Sequence, residues 1–393
     1  MTDEIESNAD IRLSDVSLIR GGLLYRVLKA TKLIRSDRWD ALRQIIFAVA
    51  VGWVPVFLIT LVLNPEALMS FLRSYRLHSR MLIAVPVLLL GQSLMESRFR
   101  MVVEHLRTAR LFSDAHLVRT DEFLTGLLRL RNSVLPEIVI LLIGPAHTYL
   151  RFSKLVDATP WLANATEAGL RLTPAGWYSV LIVAPIFQFL LGLSLWKWLL
   201  WTIFAFRLSS LPMNLIPIHP DRHGGLGFLG LTPLGFAPIA FALTAVVGAT
   251  WRHEIVRNHA HLIDFKLSAI ALVVIFFALA LLPMIFFVPR LAALRRRGIL
   301  EYSTLGQILT AAFHEKWIVH RGGGESQILT EMGSSNVLDY SQAYDRIKQL
   351  IPLPVDVGTL IQLALSILIP ALPMILAEIP VRVVLKDLLQ ALH

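Results

Sequence analysis

Apolar residues in this chain come in long blocks, and the length of the blocks says more than their period. Windows at 45–63, 177–195, 268–288 and 357–377 each approach the roughly 20 residues that a helix needs to cross a hydrocarbon core about 30 Å thick. Three windows are less clean. Residues 81–95 are short for a crossing, 134–150 carry Glu137 and His147, and 225–250 are interrupted by Pro233 and Pro238. The pattern predicts an all-α, polytopic membrane helical bundle of six or seven spans.

Two polar connections show helical rather than continuous apolar spacing. Residues 96–133 place apolar positions among Arg and Glu, with Ser113-Asp114 as a cap where a second helix starts. Residues 290–356 hold a long amphipathic helix, the loop "RGGGES" and a further helix with Asn336 or Asp339 near its start. The expected organisation is an N-terminal segment 1–44, two spans in 45–95, helices in 96–133, and four spans in 134–289 with a broken, glycine-rich region at 214–238. A helical connection at 290–356 and a last span with its tail at 357–393 follow. The two connections form the expected cytoplasmic layer of amphipathic helices.

Composition agrees with the pattern: 55% hydrophobic residues, 17% charged and a mean hydropathy of +0.63 fall outside ordinary soluble domains. Cysteine is absent, which excludes disulfides and thiolate chemistry. The net charge of +9 raises the question of nucleic acid. Its distribution answers it. With the N-terminus in the cytoplasm and seven spans, 25 Lys and Arg fall on the inner side against 11 outside, leaving out Lys197 at a span edge. That is the positive-inside asymmetry, so the expected partners are the bilayer and the anionic lipids of its cytoplasmic face, not nucleic acid. The segment 1–43 lacks the short apolar core and cleavage site of a signal peptide. A homo-oligomer is compatible with this class.

The stretch "IHPDRHGGLGFLG", residues 218–230, concentrates the candidate chemistry. Gly225, Gly227 and Gly230 fit a dinucleotide pattern, but a Rossmann turn needs a preceding strand and an acidic residue about 20 positions on. Here a membrane window follows, with no acid before Glu254, so no dinucleotide is expected and the cofactor stays unknown. His219-Pro220-Asp221 matches the J-domain tripeptide without the soluble helices that domain requires. Two readings stay open. Asp221 caps the start of the fifth span, in which case Asp221→Asn is nearly silent and Asp221→Ala costs about 1 kcal/mol. Alternatively, His219, Arg222, His223 and the N–H groups of Gly224 and Gly225 bind an anion at the positive end of that helix. A metal held by His219, Asp221 and His223 lacks a fourth ligand, and none is expected.

The run Pro220-Asp221-Arg222-x-Gly224-Gly225-Leu226-Gly227-Phe228-Leu229, the pair Lys316-Trp317 and the ending "ILIPALPMILAEIPVRVVLKDLLQAL" resemble a family of uncharacterised bacterial multi-span membrane proteins. The resemblance covers the C-terminal half and implies a bacterial inner membrane. It carries over no functional residue, and that family has a small residue where this chain has His223.

Three polar residues fall within or beside spans. Lys197 sits among Trp196, Trp198 and Trp201, the pattern of an interfacial belt from which the amine snorkels outward. Glu137 follows Pro136 near a span start and fits a helix-start acid, with a proton carrier as the alternative. His147 fits a core histidine bonded to a carbonyl. The resulting expectation is a transporter- or channel-like protein with its site at the broken helix near Arg222. The alternatives are a membrane enzyme acting on phosphate-bearing lipid and a membrane-anchored interaction module.

Overall fold

The computed structural model describes residues 17, 21–35, 39–155, 159–166, 169–319 and 334–378. The "RGGGES" loop and the last part of the C-terminal ending lie outside them. A short amphipathic helix, α1 (Gly22–Ala30), precedes the first crossing, α2 (Asp40–Leu63), which is broken at Trp53 just before Pro55. Then come α3 (Tyr75–Thr108), α4 (Asp114–Asn132) and α5 (Leu135–Leu155). A two-stranded antiparallel hairpin, β1 (Ala163–Thr166) and β2 (Gly169–Leu172), leads into α6 (Pro174–Ser210). A tight helix at Gly227–Gly235 runs into α7 (Ala237–Asn258), followed by α8 (Leu262–Ile285), α9 (Val288–His314), α10 (Ser334–Lys348) and α11 (Val357–Ile375).

Contacts between connections sort the loops into two ends. At the hairpin end, Asn64 donates to the Pro160 carbonyl (3.2 Å), Phe71 meets Trp161 edge to face, and Arg76 pairs with Glu254 (2.8 Å). At the other end, the Asn214 N–H donates to the Leu111 carbonyl (2.8 Å), Arg290 bonds the Leu211 carbonyl, and the Ile351 N–H donates to the Arg222 carbonyl (2.9 Å). The prolines of 211–238 and 352–354 make this the proline-rich end. Among the described residues, α2, α3, α5, α6, α7 and α8 each join the two ends, and α11 starts at the proline-rich end and meets Gly248, deep in α7, at Pro370. Among the described residues, six helices therefore run from one end to the other, with α11 entering the bundle from the proline-rich end. Among the described residues six helices are long and apolar enough to cross a membrane, and in α5 only Leu135–Ala146 is comparably apolar. Large apolar side chains point outward from α5 and α8, Leu142 at 66%, Val274 at 60% and Leu267 at 81% exposure, as expected where lipid is the solvent.

Helix α3 is the main departure from the windows read in the sequence. It has 34 residues where 81–95 had been marked, because charged residues end a hydropathy window without ending a helix. At 1.5 Å per residue it spans about 50 Å, well beyond a core of about 30 Å. Both α3 and α6 carry a widened π-turn, at Ser79–Ala84 and Ser179–Val183. Each turn contains the carbonyl, of Leu82 or Leu181, that Pro86 or Pro185 has no N–H to serve. Close packing rests on missing side chains: a Cβ on Gly91 would lie 2.3 Å from Pro238 of α7, and one on Gly192 2.3 Å from Ile140 of α5.

The break between α6 and α7 is satisfied internally. Pro233 sits inside the tight Gly227–Gly235 helix and donates no N–H to it, and the Thr232 hydroxyl adds a bond to the Leu229 carbonyl at 2.7 Å. Residues 96–133 hold the end of α3 and all of α4, and the described part of 290–356 holds most of α9 and all of α10, which pack on each other. Ser113 takes the N-cap position of α4, and Asp356 caps α11 by accepting from the Thr359 N–H (3.1 Å).

Candidate functional site

The stretch 218–230 folds around Asp221. Its Oδ1 accepts from the His223 N–H (2.8 Å), its Oδ2 from the Gly227 N–H (2.8 Å), and both oxygens receive the Gly225 N–H (3.1–3.2 Å). The His219 ring adds Nδ1 at 2.8 Å from Oδ1. Burial alone would push this carboxyl up, but the three backbone donors and the imidazole outweigh it and hold it below the ordinary aspartate value. The sequence had suggested a cap on the fifth span. The N-cap position of the Gly227–Gly235 helix belongs to Leu226, and Asp221 instead gathers donors from the whole turn before it.

This hub explains the glycines. Arg222 and Gly224 take left-handed backbone angles, φ +59° and +64°, and Gly225 has φ +99°. The Gly225 N–H, expected to face an outside anion, is turned onto Asp221. Gly224 packs against Leu291 and Leu294 of α9. The protein's own carboxylate thus occupies the place where a bound anion was expected.

His223 is 8% exposed and donates from Nδ1 to the Ile351 carbonyl (3.0 Å), while the Ile351 N–H returns to Arg222 O. The pair staples the loop to the segment entering α11. His219 is more open, with its side chain 41% exposed. The Arg222 side chain is exposed and makes no hydrogen bond or ion pair among the described residues. His253, His259 and His261 lie at the hairpin end, across the bundle from His219 and His223. Among the described residues no three His, Asp or Glu side chains are grouped as a metal site.

The intramembrane candidates separate. Lys197 does not snorkel: it is 9% exposed, and its Nζ donates to Gln92 Oε1 of α3 at 2.7 Å. The Gln92 Nε2 is buried without a partner, and Glu96, paired with Arg100 (2.8 Å), lies near enough to act on the amine. Glu137 is 6% exposed in the first turn of α5. It serves another helix, its Oε2 accepting from the Leu24 N–H (2.9 Å) near the start of α1. Gly22 makes room, since a Cβ there would collide with Glu137 Oε1. His147 lies on α5, but its side chain is outside the described ones. No family model matches the chain, and no curated protein or solved structure matches it.

Three groups went unremarked in the sequence, Gln92, Arg80 and Arg98, and Trp201 was read there only as part of an interfacial belt. Arg80 lies 5.6 Å from the Phe187 ring centroid, and its Nε is buried with no hydrogen-bond partner. Arg80 and Arg98 both fell just outside the apolar window 81–95. A signal existed in their positions, because no Pro or Gly separates either arginine from the window and the helix continues through both.

Proposed function

We propose that this chain is a multi-pass membrane protein of transporter or channel type, with Lys197 as the charged position that a permeating ion or proton meets. The observation behind this is the buried Lys197–Gln92 pair between α6 and α3. An amine enclosed by a bundle is costly and is retained where it serves a pathway. The proline-broken segment between α6 and α7, and the exposed Arg222 beside it, form the rim at the same end. By the positive-inside rule the proline-rich end faces the cytoplasm, and by the family resemblance the membrane is a bacterial inner membrane.

The test is flux into proteoliposomes carrying dyes for protons, potassium and chloride. At least one flux above empty vesicles is expected, reduced at least about tenfold in Lys197→Met with the protein equally incorporated. No flux for any of the three, or a flux indifferent to Lys197→Met, overturns the proposal.

A further inference from the structure

A small slot lies between α3, α6 and the tight helix that precedes α7, lined by Arg98, Phe99, Trp198, Trp201 and Thr232 among others. Its polar groups are lopsided. Trp198 already spends its indole N–H on the Leu279 carbonyl (3.2 Å), and Thr232 spends its hydroxyl on Leu229. Two donors remain unspent: Arg98 Nε and Trp201 Nε1 are both buried and without a partner, and Trp201 is only 3% exposed. No acidic side chain lines the slot. Two buried donors without a partner, one of them cationic, in a slot with no carboxylate suit an oxyanion.

The depth indicates which one. Arg98 lies 23 positions along α3 from Tyr75 at the hairpin end, or about 35 Å at 1.5 Å per residue, just past a hydrocarbon core of about 30 Å. Trp198 and Trp201 lie at the same level, buried inside the bundle against α3. The enclosed part of the slot has room for about one water-sized atom, enough to take a single oxygen of a group held outside it.

We propose that this slot binds a phosphate-type oxyanion, with Arg98 providing charge and Trp201 a directed N–H, and that the source is an anionic phospholipid of the leaflet at the proline-rich end. The site is independent of any flux through Lys197. The experiment measures thermal stability of the full chain in a phosphate-free maltoside detergent. The additives are phosphatidylglycerol, diacylglycerol with the same chains, or inorganic phosphate.

Phosphatidylglycerol is expected to raise the midpoint by a few degrees where diacylglycerol does not. In Arg98→Gln the apparent affinity should fall about tenfold or more, as for loss of a charge-assisted hydrogen bond. Trp201→Phe keeps an aromatic ring while removing the donor with part of the indole, and should weaken binding in the same direction. It also serves if Arg98→Gln fails to fold. Stabilisation by inorganic phosphate alone, lost in Arg98→Gln, supports the site and makes the free ion its ligand. Equal stabilisation by diacylglycerol, no stabilisation by any additive, or a phosphatidylglycerol effect unchanged in both variants overturns the proposal and leaves a slot that holds a water molecule.

Discussion

Replacing Asp221 by asparagine separates a hub from a helix cap. A cap needs one acceptor, and asparagine supplies it. At Asp221 both oxygens are in use, and the amide puts an NH2 group where Oδ2 now faces the Gly227 and Gly225 N–H groups. Donor then meets donor. A hydrogen bond to a charged group contributes about 1.5–3 kcal/mol, and the 21% exposure of this side chain lets water relieve part of the loss. The expected cost of Asp221→Asn is therefore about 2–3 kcal/mol. Asp221→Ala, which strands all three backbone donors, should cost about 3–5 kcal/mol. His219→Ala removes only a half-exposed partner and should cost less than about 1 kcal/mol. The assay is denaturant unfolding in detergent micelles, followed by tryptophan fluorescence. Acid supplies a second arm. A carboxyl held below its ordinary value contributes stability above the unfolded pKa of about 3.9 and loses it as pH falls through the folded one. The deficit of Asp221→Asn against the native chain should therefore shrink below about pH 4. An asparagine variant within about 0.5 kcal/mol of the native chain at neutral pH would refute the hub and restore the simple cap.

Gly224→Ala should cost about 2–4 kcal/mol in the same assay, from a left-handed backbone and a Cβ pressed against Leu294; a neutral result would mean the loop relaxes freely. His223→Ala should speed hydrogen exchange at the Ile351 amide about tenfold, and unchanged exchange there would show that the staple does not hold the entry to α11. The double variant Lys197→Met/Gln92→Leu should be as stable as the native chain or more so, because apolar replacement of a buried polar pair removes a desolvation cost; a large loss would make the pair structural. Because the chain has no cysteine, single substitutions report sidedness cleanly. Glu66→Cys and His259→Cys should label from one side of sealed vesicles and Ser113→Cys and Thr304→Cys from the other, and labelling of His259→Cys together with Thr304→Cys would contradict a crossing by α8.

The membrane class, the positions of the crossings and the helical nature of 96–133 and 290–356 were legible in the chain because hydropathy and helical spacing are local quantities. Asp221 shows where that stops. Its spacing to a following helix suggests a cap, but which N–H groups it collects depends on how Arg222, Gly224 and Gly225 turn, and those turns are set by α9 and by the segment entering α11, more than sixty residues away. Lys197 amid tryptophans has an interfacial composition, but whether the amine points to water or to Gln92 is decided by the rotation of α6 against α3. Glu137 has the same ambiguity, resolved only when α1 folds back to present the Leu24 N–H. Arg98 and Trp201 stand about a hundred residues apart in the chain and become one slot because the tight helix at Gly227–Gly235 packs Thr232 and Gly235 beside them. In a bilayer every helix meets its own backbone hydrogen bonds locally, so sequence determines that helices form; which polar side chains face one another depends on packing between helices, and only the tertiary structure decides that.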